Sequence, residues 1–469
     1  MDRLKDAPIF RPTFEEFQNF NEYVNKIKED AQDYGICKII PPKNWSTTDY
    51  SKCFMCPGPN NASPNSSISK ECTAFVKNIS IKSPIEQQFI GSNGIYRVIN
   101  IEKKVRYSID QLQRYCESTG KTPPNVTERM YNKLKPDTSK QESYYNCLES
   151  AYWKSLSNNS SIYGADLDAS LMVLDQSLSQ WNLSKLDDQL KCLTNKIPGV
   201  NTPYLYFGTW KATFAWHVED LDLYSINYMH FGEPKQWYAI PRAFKRRFEE
   251  LMKNIFSRDF QVCPEFLRHK SVLVSPIFLR KNGIPVVRMR HYPGEFMITF
   301  PYGYHAGFNY GFNAAEAINF ALEDWVTNYG LAARSCKCRP DSVKMDKEKL
   351  LEMIQVGNID KRRNGIVTLK LNAVNDRKYC DICLKPGDVR RIQRKKPGTL
   401  VLRQGFCIAH DSCLSSLEKG EISYDKKCEI CWNDRQNSGI LTPYEKSLVG
   451  ITINSCGGFK HWNCVENNV

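Results

Sequence analysis

The spacing of apolar and polar positions changes along the chain, and each change marks an element. Phe17, Phe20 and Val24 share one face of a helical pattern over residues 13–27, where Thr13 and Glu16 are spaced as a capping box. Residues 34–42 then read as a strand too short to bury itself, so this first segment is expected to pack on a larger unit. Tyr145, Leu148 and Tyr152 predict a second helix, and Leu183, Leu186 and Leu190 predict a third over 176–194. Beyond residue 202 the period shortens. Residues 214–219 read as a strand, Asp220 and Asp222 suit a tight turn, and 223–231 is the next strand. Residues 294–301 form another, feeding Tyr302 to Gly307. Alternating strands that end at Gly and Pro argue for an antiparallel barrel over a parallel sheet. A charged helix over 341–356, with Leu350, Leu351 and Ile354, and a basic connector over 357–376 lead to a cysteine-rich end.

This pattern carries chemistry where it meets histidine. Two residues apart on one strand, His217 and Glu219 face the same way and can reach one cation together. His305, at a distant strand end, completes a set of two imidazoles and one carboxylate. Such a set leaves three adjacent coordination positions open, as in non-haem Fe(II) oxygenases.

Composition adds bounds. A length of 469 residues predicts two or three domains, and 41% apolar content allows sizeable cores. No apolar run approaches the roughly 18 residues of a membrane span, and the first residues lack a signal-like apolar stretch. The expectation is a protein that is neither secreted nor membrane-spanning. The net charge of +13 suits a polyanionic setting such as chromatin, with a solubilising surface as the alternative. Eighteen cysteines without a signal peptide favour metal sites or thiols over disulfides.

The stretches Thr202 to Gly208, Phe214 to Asp220, Leu223 to Tyr228, Phe231 to Lys235 and Gly294 to Asn309 resemble the JmjN/JmjC histone lysine demethylases acting on lysines 9 and 36 of histone H3. The resemblance implies an α+β chain whose core is a double-stranded β-helix (jelly-roll, cupin-like), with a packed JmjN segment and a small C-terminal zinc-binding domain. It implies the following division: a JmjN segment at 9–45, an insertion loop at 46–80 and a mixed region at 81–172. The JmjC domain follows at 173–338, then a helix and basic connector at 339–379 and zinc modules at 380–469. The implied activity is an Fe(II)- and 2-oxoglutarate-dependent dioxygenase using O2. It would oxidise N-methyl groups of histone H3 tails and release formaldehyde, succinate and CO2, in the nucleus. His217, Glu219 and His305 take the iron-ligand positions, and Lys235, Tyr163 and Asn227 those around the far carboxylate of 2-oxoglutarate. Gly199, Tyr206, Glu219 and Asn319 align with the methyl-lysine pocket. Just before Asn319 this chain has Ala317-Ile318 where many members have Ser-Thr, which by analogy predicts preference for lysine 9 over lysine 36.

Further zinc sites are expected. Cys263-x5-His269 and Cys336-x-Cys338 can form a tetrahedral Cys3His site, a set the family also has. Cys380, Cys383, His410 and Cys413 read as a zinc knuckle. Cys428, Cys431, Cys456, His461 and Cys464 read as a truncated PHD-like finger, with Cys407 as a substitute ligand. Cys53, Cys56 and Cys72 lie in the insertion and read as part of a surface loop. The basic run Arg390 to Lys396 offers a weak nucleic-acid contact or an import signal, with a solvated loop as the equal alternative. Two other readings remain: a protein hydroxylase of the same class, and a catalytically silent chromatin scaffold.

Overall fold

The alternating stretches build two sheets packed face to face in the computed structural model. It describes residues 6–343 except 44, 47–74, 76–77, 128–138, 176–177, 194, 331, 337 and 340–342, together with 350, 351, 354 and short strands at 390–392, 407–409, 452–453 and 459–460. Two units are distinguished: Met1–Leu322 with Arg334–Met345, and Glu323–Ala333 with Asp346–Val469. The expected knuckle and PHD-like ligands, other than the substitute candidate Cys407, and the insertion cysteines lie outside the described residues. In the second unit Trp325 is buried on the short helix Glu323–Asn328, and Leu350, Leu351 and Ile354 are helical and buried.

In the first unit the larger sheet runs Ile9–Phe10, Ile36–Ile39, Phe296–Thr299, Tyr224–Gly232, Asn313–Phe320, Tyr204–Gly208, Ser161–Leu167, Ile85–Ser92, Ile95–Glu102, Val272–Val274. Only its first pair is parallel. The smaller, antiparallel sheet runs Val287–His291, Lys235–Ala239, His305–Asn309, Thr213–His217. Between the sheets Ile36 and Met297 of one pack with Trp237, Ala239, Val287 and Met289 of the other. The outer face of the smaller sheet presents Trp216, Tyr238 and Phe308. The helices Lys140–Lys154 and Lys245–Ile255 cover it through Tyr145, Leu148, Tyr152, Phe248 and Met252. Sequence alternation therefore becomes an inner face around a site and an outer face under helices.

The N-terminal segment joins this core by strand pairing and by aromatic packing. Ile36–Ile39 pairs with Phe296–Thr299, and Phe17 stacks on Trp181 with centroids 4.2 Å apart. Thr13 and Glu16 do exchange reciprocal hydrogen bonds. They close the turn ahead of the short 3-10 segment Glu16–Gln18, however, and do not cap the α-helix, which starts at Phe20 and runs to Ala31. Asn19 caps that helix, accepting from the Glu22 N–H at 3.2 Å. Asn19→Ala is expected to cost about 1 kcal/mol, read as a lower denaturant midpoint; an unchanged midpoint would contradict the capping role.

The helix expected over 176–194 is not formed among the described residues. Two 3-10 turns, Leu183–Lys185 and Gln189–Cys192, stand there instead. Asn182 and Asp188 each accept the backbone N–H two residues on, at 3.0 and 2.6 Å, which offers the backbone an alternative to helix. Leu183, Leu186 and Leu190 are nonetheless buried.

Candidate metal centres

Register builds the first centre. His305 opens its strand directly opposite His217, which closes the neighbouring one, so the two imidazoles project from one face with centroids 4.2 Å apart. A register shift between His305 and Gly307 places an extra residue in the Thr213–His217 strand, a bulge beside the site. The strand ends at His217, so Glu219 lies just beyond it; its backbone stays extended (φ −62°, ψ 153°), which keeps the expected two-residue spacing. Glu219 Oε1 stands 3.9 Å from His217 Nε2 and 3.3 Å from His305 Nε2. Three donors at right angles, about 2.1 Å from one cation, would be about 3 Å apart.

The protonation pattern suits a cation. His217 Nδ1 donates to the Ala215 carbonyl at 2.7 Å and His305 Nδ1 to the Gly303 carbonyl at 3.0 Å, so each Nε2 lone pair faces inward. Burial, with His305 next, pushes the His217 imidazole well below its usual range. Burial opposes the charge on Glu219, but His305 and His217 hold its carboxyl well below the usual carboxylate range. Ser225 donates to Glu219 Oε1 at 3.0 Å and Asn319 Nδ2 to Oε2 at 2.9 Å, fixing the carboxylate.

Deeper between the sheets Lys235 is almost fully buried, 2% exposed, and burial pushes it down to about 7. Its ammonium donates to the Tyr163 hydroxyl at 3.5 Å and lies 5.8 Å from the Tyr163 and Phe214 ring centroids. The buried Asn227 Oδ1 and Trp237 Nε1 have no partner among the described residues. His291, absent from the sequence-based set, stands opposite Lys235 in register. Its Nε2 donates to the Glu295 carbonyl at 2.7 Å, leaving a buried Nδ1 without a hydrogen bond, and burial pushes it down to about 3. A buried ammonium with one long contact, amid unpartnered polar atoms, fits an anionic ligand.

Asn319 and Ala317 share the face of Asn227, because Asn227 pairs with Ala317 and Ser225 with Asn319. Ile318 therefore points to the other face, where it lines a cleft with Leu183, Ser184, Leu186 and Asn201. Ala317 and Ile318, adjacent in the sequence motif, thus face opposite sides of the sheet. The Tyr206 ring lies 6.0 Å from that of Tyr163, tilted by 38°. Gly199 has φ +78°, and a Cβ there would meet the Tyr204 ring at 2.4 Å.

The second centre gathers Cys263, His269, Cys336 and Cys338. His269 Nε2 lies 3.1 Å from both Cys336 and Cys338 Sγ, and the sulfurs are 3.2 and 3.7 Å from Cys336. Those separations exclude a disulfide, whose sulfurs are about 2.05 Å apart, and bring four donors close enough together to share one tetrahedral Cys3His cation.

Two family models match the chain, one described as JmjC domain, hydroxylase, over residues 204–320 and one as jmjN domain over 8–41. The chain thus carries a JmjC domain and a jmjN domain. Its JmjC match contains His217, Glu219, Lys235 and His305, and its jmjN match contains the helix and strand that pack on the larger sheet. Similar curated proteins are lysine-specific demethylase 4B of Mus musculus, 41% identical over 76% of this chain, and probable lysine-specific demethylase 4F of Homo sapiens, 41% over 74%. Lysine-specific demethylase 4D of Rattus norvegicus is 39% identical over 76%. The JmjN/JmjC chain spans 29%, 48% and 63% of those relatives' lengths, respectively.

Proposed function

We propose that this chain is an Fe(II)- and 2-oxoglutarate-dependent histone lysine demethylase that acts on methylated histone H3 in the nucleus. The observation that carries the reading is the pairing of two groups on the inner face of the smaller sheet. His217, Glu219 and His305 offer three converging donors, and the buried, uncompensated Lys235 lies on the strand beside His305. Four residues, about 13 Å of strand, separate Lys235 from the residue opposite His305. The lysine side chain and a five-carbon dicarboxylate together bridge that span.

The donor set fits Fe(II), with Lys235, Tyr163 and Asn227 holding the far carboxylate of 2-oxoglutarate. Bound iron supplies the activation of O2 and the oxidation of an N-methyl group. The chain positions and shields. Ser225 and Asn319 orient Glu219, and the two backbone carbonyls fix the imidazole tautomers. Tyr206, with Gly199 and Asn319, forms a wall of aromatic and oxygen groups suited to a methylammonium. Such a cation needs no lone pair to lose a hydrogen atom from its methyl group, so trimethyl-lysine is accepted. The Cys3His cluster fits structural Zn(II).

Mass spectrometry of a trimethylated histone H3 peptide, with and without 2-oxoglutarate, tests the reading. Stepwise loss of methyl groups supports it. A stable gain of one oxygen would make the chain a hydroxylase, and no change at all would make it a scaffold. Ala317, which removes a hydroxyl from the pocket face, supports faster reaction at lysine 9 than at lysine 36; the reverse order of rates would defeat that preference. The net charge of +13 supports a chromatin setting with weak nucleic-acid contact.

A further inference from the structure

The turn that carries Glu219 is strained and is gripped from the second metal cluster. Leu221 (φ 55°) and Asp222 (φ 50°) are consecutive left-handed residues with side chains, a conformation that persists only where the surroundings enforce it. Enforcement comes from Arg268, which is buried beside the turn. Its Nη1 donates to the Glu219 carbonyl at 2.5 Å, its Nη2 to Asp222 Oδ1 at 2.6 Å and its Nε to Glu265 Oε2 at 2.9 Å. Asp222 is fully buried, and its Oδ2 accepts the Arg334 N–H at 3.0 Å.

Arg268 directly precedes His269, and Arg334 lies two residues before Cys336. Both halves of the Cys3His cluster, 67 residues apart at His269 and Cys336, are thus tied to the same turn. Glu265, within the Cys263–His269 loop, closes the frame: its Oε1 is 3.5 Å from Arg334 Nη1. We propose that Arg268, with Asp222, is a positioning strut through which the Cys3His cluster sets the place of the Glu219 carboxylate in the iron site. The inference rests on the oxygenase reading above. Closing the cluster holds the backbone of Arg268 and Arg334, and their donors hold the strained turn. With the cluster open, the turn relaxes and the third iron donor moves, although all three iron-site residues are intact.

The test uses Mn(II) as the probe for the iron site. Its affinity is read from the electron paramagnetic resonance signal of unbound Mn(II), and zinc per chain is measured in parallel. Arg268→Lys keeps the charge but cannot make all three contacts. It is expected to weaken Mn(II) binding about 10- to 100-fold, the usual cost of losing an outer partner of a metal ligand, with zinc per chain unchanged. Should that variant fail to fold, Asp222→Asn, which removes the charge but keeps the shape, carries the same expectation. Cys336→Ser should also weaken Mn(II) binding, and Arg268→Lys added to it should cause little further loss, because both act through one strut. Unchanged Mn(II) affinity, loss of zinc from Arg268→Lys, or fully additive losses would each overturn the proposal. Failure of the parent protein to bind Mn(II) at all would defeat the oxygenase reading itself, and the strut with it.

Discussion

His305→Ala is expected to abolish consumption of 2-oxoglutarate while leaving zinc content unchanged. Outer partners of metal ligands cost about 10- to 100-fold in affinity, and a direct donor costs more, so the loss should exceed about 100-fold. The geometry explains why no neighbour can substitute. His305 Nε2 is 3.3 Å from Glu219 Oε1, closer than His217 Nε2, and removing it leaves Glu219 with one imidazole in a buried site. Cosubstrate consumption without peptide, followed against the parent, is the measurement. Turnover at the parental rate would remove the metal centre from the mechanism altogether.

The second large effect is expected at Lys235. Lys235→Met keeps the volume and deletes the charge that would face the far carboxylate of 2-oxoglutarate. Breaking a buried ion pair by removing one partner costs about 3–5 kcal/mol, which corresponds to roughly two to three and a half orders of magnitude in affinity. Calorimetric titration with 2-oxoglutarate reads this directly, and a change below tenfold would assign the lysine another role.

Lys235 also gives a pH signature. Burial lowers it from its ordinary value of 10.5 to about 7 in the ligand-free protein, and an incoming dianion favours the charged form. Above pH 7 binding must therefore take up a proton, so apparent affinity falls by up to about tenfold per pH unit until the bound-state value is reached. Lys235→Met should flatten that slope. For stability the sign is the opposite. The folded value lies below the unfolded one, so the cost of burying the charge is fully present below pH 7. That cost lifts as pH rises from about 7 towards 10.5.

Local order in the chain made much of this legible. Period-two alternation located the strands around residues 213–217 and 224–232, and three-four spacing located the helix Lys140–Lys154. Where local signals competed, reading failed. Leu183, Leu186 and Leu190 keep helical spacing and are buried, yet Asn182 and Asp188 divert the backbone into short turns. Thr13 and Glu16 form their reciprocal pair, but Asn19, three residues after Glu16, starts the helix. At 317–319 alternation sends Ile318 to the face away from Ala317 and Asn319, a division that the sheet register makes explicit.

The chain itself determined which groups can ligate, which positions alternate, and hence that two imidazoles and a carboxylate belong on sheet ends. Pairing between distant strands decided the rest. His305 meets His217 across 88 residues, His291 meets Lys235 across 56, and Arg268 reaches the Glu219 turn from 49 residues away. Side-chain period is a property of neighbours in sequence, whereas register is chosen by which apolar faces can be buried together, a sum over the whole core that no local window contains.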